Sequence, residues 1–153
     1  MGIVLATQSD AETVFDISQR TINEIYPHYY PPGAVKFFSD HHSIENILLD
    51  IADNCVWILR DKNHPIGTVT INRNEINRLF VLPDYQDCGF GRCLMDFAEK
   101  HIFENYSYIT LSSSFPAQEL YRKRGYEISG FHKIPCDNGD FLCYNEMILK
   151  SAV

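Results

Sequence analysis

No run of this 153-residue chain approaches the roughly 20 consecutive apolar residues needed to span a bilayer, so no membrane association is expected. Positive charge is scarce too. Thirteen Lys and Arg stand against 20 Asp and Glu, a formal charge of −7, and the chain therefore lacks the basic excess that binding to a phosphate backbone draws on. DNA and RNA are excluded as expected partners, whereas an acidic balance suits a cationic acceptor such as an amine. The start, Met1-Gly2-Ile3-Val4-Leu5-Ala6-Thr7, is short of a secretory signal and lacks its basic lead. Cysteines are few, odd in number and scattered, at 55, 88, 93, 136 and 143, without a C-x-x-C pair. That pattern argues against both a disulfide framework and a zinc site, and points to a reducing cytoplasm. His41 and His42 adjoin, but neighbouring side chains on one element point in different directions and no third ligand follows at a telling distance, so no metal is expected. H-E-x-x-H, G-x-S-x-G and G-x-x-x-x-G-K-[ST] are all missing, which removes the common zinc-protease, hydrolase and P-loop chemistries.

What remains, 45% apolar and 22% charged residues over 153 positions, suits a single domain, 1–153, with a sizeable core. Residues 2–6 read as a strand and 10–26 as a helix, with Val14, Ile17, Ile22 and Ile25 near helical spacing and Ser9 or Asp10 as its cap. Pro27, Pro31, Pro32 and Gly33 break the pattern within an aromatic-rich stretch, and a second helix is expected over 43–52. Strands follow at 56–60, 66–72 and 75–82, the first two joined by the polar segment 61–65. A helix to about Glu104, a strand over 108–112 and a short helix near 117–124 come next; Pro116 fits the first turn of that helix and Gly125 its stop. Two strands, 126–133 and 141–149, close the chain through Asp137-Asn138-Gly139-Asp140, whose Asn-Gly step favours a tight turn. Read from pattern alone, the chain is α/β or α+β with helices against a sheet.

The most informative segment is Gln86-Asp87-Cys88-Gly89-Phe90-Gly91-Arg92, set between a strand ending Val81-Leu82-Pro83 and a helix beginning near Cys93. Glycines there let the backbone take unusual dihedrals and approach a ligand closely. The free N–H groups of the following first helical turn, at the positive end of its macrodipole, favour a phosphate or pyrophosphate. The spacing Gln86-x-x-Gly89-x-Gly91, followed by Ala117-Gln118-Glu119-Leu120-Tyr121-Arg122-Lys123-Arg124-Gly125-Tyr126, resembles the GNAT superfamily of N-acetyltransferases along essentially the whole chain.

The resemblance implies a mixed, mostly antiparallel sheet with a splayed parallel strand pair and flanking helices. It also implies acetyl-CoA as co-substrate and a small-molecule or peptide amine as acceptor, attacked directly in a ternary complex. On that reading the backbone of Leu79, Phe80 and Val81 binds the pantetheine arm. Gln86, Asp87, Cys88, Gly89, Phe90, Gly91 and Arg92 surround the pyrophosphate, with Asp87-Cys88 standing where the family often has a basic residue and Arg92 as a compensating cation. Ser114 takes the place of an asparagine that contacts the coenzyme or caps the following helix. Tyr121 falls on the family's tyrosine beside the coenzyme sulfur and Glu75 on a general-base position. The aromatic stretch Tyr26 to Phe38, with Asp40 and Glu45, falls where the family builds its acceptor wall. Members are often dimers, which leaves a homodimer open here. A different class of function, an acetyl-CoA-binding sensor or regulatory module without chemistry, fits the same pocket.

Overall fold

The computed structural model describes residues 1–152. Seven strands, β1 (Gly2–Leu5), β2 (Val56–Asp61), β3 (His64–Asn72), β4 (Glu75–Val81), β5 (Tyr108–Ser113), β6 (Glu127–Pro135) and β7 (Phe141–Lys150), form one sheet in the order β1-β2-β3-β4-β5-β7-β6. All neighbours are antiparallel except β4 and β5. The helices are α1 (Ala11–Ile25), α2 (Pro32–His41), α3 (Ile44–Ala52), α4 (Phe90–Phe103) and α5 (Gln118–Lys123). None is long and apolar enough to cross a membrane.

Strand alternation sorts the core into layers. Trp57 and Leu59 of β2 meet α4, whose Leu94, Met95, Ala98 and Ile102 fill one apolar cluster together with Tyr121. Val56 and Ile58, pointing the other way, pack with Val14 of α1 and with Ile47 and Ile51 of α3. A third cluster joins α1, α2 and the hairpin of β6 and β7 through Ile22, Tyr26, Ala34, Phe80 and Leu142.

The turns follow from residues that tolerate positive φ. Lys62 and Asn63 (φ 50° and 66°) close β2 onto β3, and Asn138 and Gly139 (φ 62° and 72°) close β6 onto β7, as the Asn-Gly step led us to expect. Gly125, at φ 96°, ends α5 as read from the sequence, with the Tyr126 N–H donating back to the Tyr121 carbonyl.

Three local expectations are corrected. Asp10 does not cap α1 with its side chain; it accepts the Thr7 N–H at 2.8 Å, closing a short 3-10 turn ahead of the helix. The proline-rich break hides α2, because Pro32 occupies a first-turn position where a missing N–H costs nothing. Three helices, not two, therefore precede β2. Gly33 is needed within α2: its N–H donates to Asp140 Oδ2 at 2.8 Å, and a Cβ there would lie 2.1 Å from the Asp137 carbonyl oxygen. Finally, Ser114 makes no side-chain cap; a 3-10 turn, Phe115–Ala117, intervenes before α5.

Candidate active site

β4 and β5 pair over only two positions, Glu75 with Thr110 and Ile76 with Leu111, and then part. At the point of parting, β4 carries a bulge. Thr70 of β3 faces Arg78 and Ile71 faces Ile76, so Asn77 has no opposite residue. Such an extra residue bends its strand and increases local twist, which directs β4 away from β5. Beyond the bulge, the Leu82 N–H donates to the Ile66 carbonyl of β3. Alternation then turns the N–H and C=O of Leu79 and Val81 toward the gap. Phe80, opposite Thr68, turns its main chain to β3, so of the three residues expected to offer backbone only Leu79 and Val81 do; Phe80 contributes its ring. The Val81 carbonyl already accepts from Gln86 Nε2 at 2.9 Å and Thr21 Oγ1 at 3.3 Å, leaving the Val81 N–H as its donor toward the gap.

On one side of the gap lies a cleft of about 510 Å³ between the α4 N-terminus and α5. Gln86, Asp87, Gly89, Gly91, Arg92 and Ser114 all line it, together with Leu79, Phe80 and Val81. Gly89 is the α4 N-cap at φ 89°, and the first intrahelical bond closes on it from the Cys93 N–H, leaving the N–H groups of Phe90, Gly91 and Arg92 free of helical partners. A Cβ on Gly91 would meet nothing closer than Leu120 Cδ2 at 3.7 Å, so that glycine keeps space open rather than relieving a protein clash. Asp87 is exposed and sits at φ 61°, a left-handed conformation Asp tolerates. Solvent screens its charge there. Cys88 and Phe90 do not line the cleft: the Cys88 thiol donates to the Gln86 carbonyl at 3.4 Å, and the Phe90 ring packs edge-on to Tyr85. The sequence reading missed Lys123, which joins Arg92 as a second cation at this cleft.

Across the gap is a cavity of about 320 Å³ that holds both expected catalytic residues, Tyr121 and Glu75. The two spaces share Tyr26, Leu79, Phe80 and Ser114 in their walls. Tyr121 is 5% exposed, and burial, with Tyr26 adding to it, raises its phenol well above the ordinary value, so it stays protonated. Tyr26 is pushed up to about 12 by burial, against a lowering bond from Ser114. The Glu75 carboxyl is raised by partial desolvation and, less, by Glu146.

The acceptor-side wall departs from expectation. Phe37 and Phe38 line it, but Tyr29 is exposed and Asp40 is held outside by Lys36 at 2.6 Å; neither Asp40 nor Glu45 reaches the cavity. In their place stand His41, His42 and a buried Arg78. The sequence reading missed Arg78: the bulge at Asn77 shifts the alternation of β4, so Arg78 shares a face with Phe80 rather than with Ile76. Among the described residues no three His, Cys, Asp or Glu side chains gather in a metal-binding group.

Residues 52–128 match the acetyltransferase (GNAT) domain family. The chain belongs to that family. Its fold is shared with solved GNAT structures at low identity. A GCN5-related N-acetyltransferase from Rhodopseudomonas palustris superposes with a TM-score of 0.88 at 20% identity, covering 97% of this chain and 94% of that one. The PaiA N-acetyltransferase from Thermoplasma acidophilum, in complex with coenzyme A, gives 0.73 at 20% identity, covering 97% and 98%. YncA from Salmonella typhimurium, with acetyl-CoA, gives 0.74 at 13% identity, covering 98% and 93%. Among curated proteins none matches the chain by sequence.

Proposed function

We propose that this GNAT protein moves an acetyl group from acetyl-CoA to an amine of a small molecule or peptide, by direct attack in a ternary complex. The observation that carries the reading is the passage through the sheet. A cleft ending in free helical N–H groups meets, at shared walls, a cavity holding a carboxylate and a protonated phenol. Coenzyme A in PaiA and acetyl-CoA in YncA support the choice of donor.

In this scheme the α4 N-terminus holds the pyrophosphate through the N–H groups of Gly91 and Arg92, and Arg92 and Lys123 offset its charge. Leu79 and Val81 offer the pantetheine arm main-chain groups that β5 leaves unpaired. The neutral amine nitrogen attacks the thioester carbonyl carbon, the C–S bond breaks, and the thiolate leaves. Glu75 takes the proton that the attacking nitrogen sheds, directly or through water, and its raised pKa makes it a stronger base than an ordinary glutamate. Tyr121 donates a hydrogen bond to the departing sulfur. Complete proton transfer from a phenol above 10 to a thiolate near 8.5 would be uphill by roughly 2 kcal/mol or more, so the phenol steadies the thiolate and the solution completes its protonation.

The test is release of free CoA thiol from acetyl-CoA across a panel of amines, with mass detection of the acetylated product. Tight acetyl-CoA binding without amine-dependent release would instead support a binding module that does no chemistry.

A further inference from the structure

The inner wall of the acceptor cavity is a buried polar chain, which a purely apolar acceptor would leave unused. Arg78, 4% exposed, donates from Nε to His42 Nδ1 at 3.1 Å and from a terminal nitrogen to Thr70 Oγ1 at 2.7 Å, and its other terminal nitrogen pairs with Asp50 Oδ2 at 3.1 Å. His42 is 6% exposed, lines the cavity, and stands edge-on to Phe80 and His41. Because its Nδ1 accepts from Arg78, the neutral ring carries its proton on Nε2. Burial, Arg78 and His41 all disfavour the imidazolium, in that order. Among the described residues that Nε2–H has no partner. Nor is it sealed away, since among the described residues the one buried side-chain polar atom left unpartnered is the Tyr126 hydroxyl. His42 lines the cavity, and its Nε2–H, unpaired and not fully buried, is available there as a fixed donor backed by a guanidinium.

We infer that His42 Nε2–H binds an oxygen of the acceptor, a carboxylate or a carbonyl, and that Arg78 is the positioning residue that fixes its tautomer and orientation. The acceptor class is then an amine that also bears such an oxygen, as amino acids and peptides do, in preference to a plain alkyl amine. The placement of charge agrees. Glu75 supplies negative charge for the ammonium end, whereas at the inner wall the Arg78 charge is balanced by Asp50 and His42 adds only a neutral donor. A buried donor discriminates strongly because a substrate lacking the oxygen leaves it unpaired.

This inference rests on the acyl-transfer reading, and its test separates the two. A panel of α-amino acids, their α-carboxamides and the corresponding decarboxylated amines is assayed with acetyl-CoA, alongside His42→Phe, which keeps a ring against Phe80, and His42→Gln, which keeps an N–H donor. The expected result is a preference of about tenfold or more in kcat/KM for the oxygen-bearing acceptors, lost in His42→Phe mainly through KM and partly restored in His42→Gln. Preference for the plain amines, or a preference unchanged in His42→Phe, overturns the assignment. The carboxamides separate a carbonyl from a carboxylate requirement. Titrating the wild-type protein with the same compounds while following the His42 ring by nitrogen NMR needs neither turnover nor a variant. A shift with amino acids or carboxamides but not with decarboxylated amines supports the site, and no shift with any of them removes it. Absence of CoA release with every amine would sink the transferase reading while the NMR result still decides the subsite.

Discussion

Gly91→Val is the sharpest test of the coenzyme cleft, because at this position stability and binding come apart. Gly91 lies in the first turn of α4 in ordinary helical backbone, and its nearest protein neighbour to a new Cβ is Leu120 Cδ2 at 3.7 Å, a normal contact. Valine there gains a few tenths of a kcal/mol in helix propensity, so the folded state should change by less than about 1 kcal/mol. Gly89 offers no such separation, since at φ 89° any side chain strains the backbone. The valine branches would stand where a phosphate must approach the free N–H groups. Loss of one hydrogen bond to a charged group, about 1.5–3 kcal/mol, raises Kd roughly 10- to 150-fold. At acetyl-CoA equal to about 100 wild-type Kd, ligand stabilisation is about 2.7 kcal/mol; a hundredfold weaker variant keeps only about 0.4 kcal/mol. At about 2–4 °C per kcal/mol for a chain of this size, the acetyl-CoA-induced rise in Tm should shrink from roughly 5–11 °C to about 1 °C. Calorimetric titration and thermal melts with and without acetyl-CoA measure both quantities. A folded Gly91→Val protein with wild-type affinity would show that the coenzyme does not use this turn.

Tyr121→Phe keeps the packed ring and removes the hydrogen bond to the leaving sulfur, so kcat should drop about 10- to 100-fold with acetyl-CoA affinity nearly unchanged; full turnover would leave Tyr121 a packing residue. Glu75 acts in its ionised form and its pKa is raised, so kcat/KM should fall as pH drops through a value above that of an ordinary glutamate. Glu146→Gln removes the nearby negative charge, lowers the Glu75 pKa and should move this acid limb to lower pH, and an unmoved limb would argue against Glu75 as the base. Gly33→Ala should cost about 1–3 kcal/mol in urea unfolding, because its Cβ would overlap the Asp137 carbonyl, whereas Gly2→Ala, with open space around it, should be near neutral.

Much of the proposed coenzyme cleft was legible because its signals are local. Gly89 and Gly91 sit where a strand meets a helix, and Gly125 and Asn138-Gly139 punctuate their turns as their backbone freedom dictates. The acceptor side was less so. Pro31-Pro32-Gly33 marks a helix start as readily as a break, and only the packing of Ala34 against Tyr26 and Leu142 decides between them. Asp40 and Glu45 looked available as acceptor contacts, but they follow α2 and α3 outward to solvent. Arg78, Thr70 and Asp50 come from three separate elements and His42 from the residue that ends α2, and no spacing along the chain announces their meeting.

Asn77 has a consequence that reaches past its own side chain. Ile76 and Arg78 already face consecutive residues of β3, so a strand without Asn77 would keep its register with β3 and present every later side chain to the same layer. Removing it would leave the folding pattern intact and take away the bend that parts β4 from β5 just after Ile76. The straightened strand could then zip onto β5 beyond Leu111, committing the main chain of Leu79 and Val81 to the sheet. The site is thus, in topological terms, the work of one surplus residue: the sheet would be more regular without it, and there would be no passage through it.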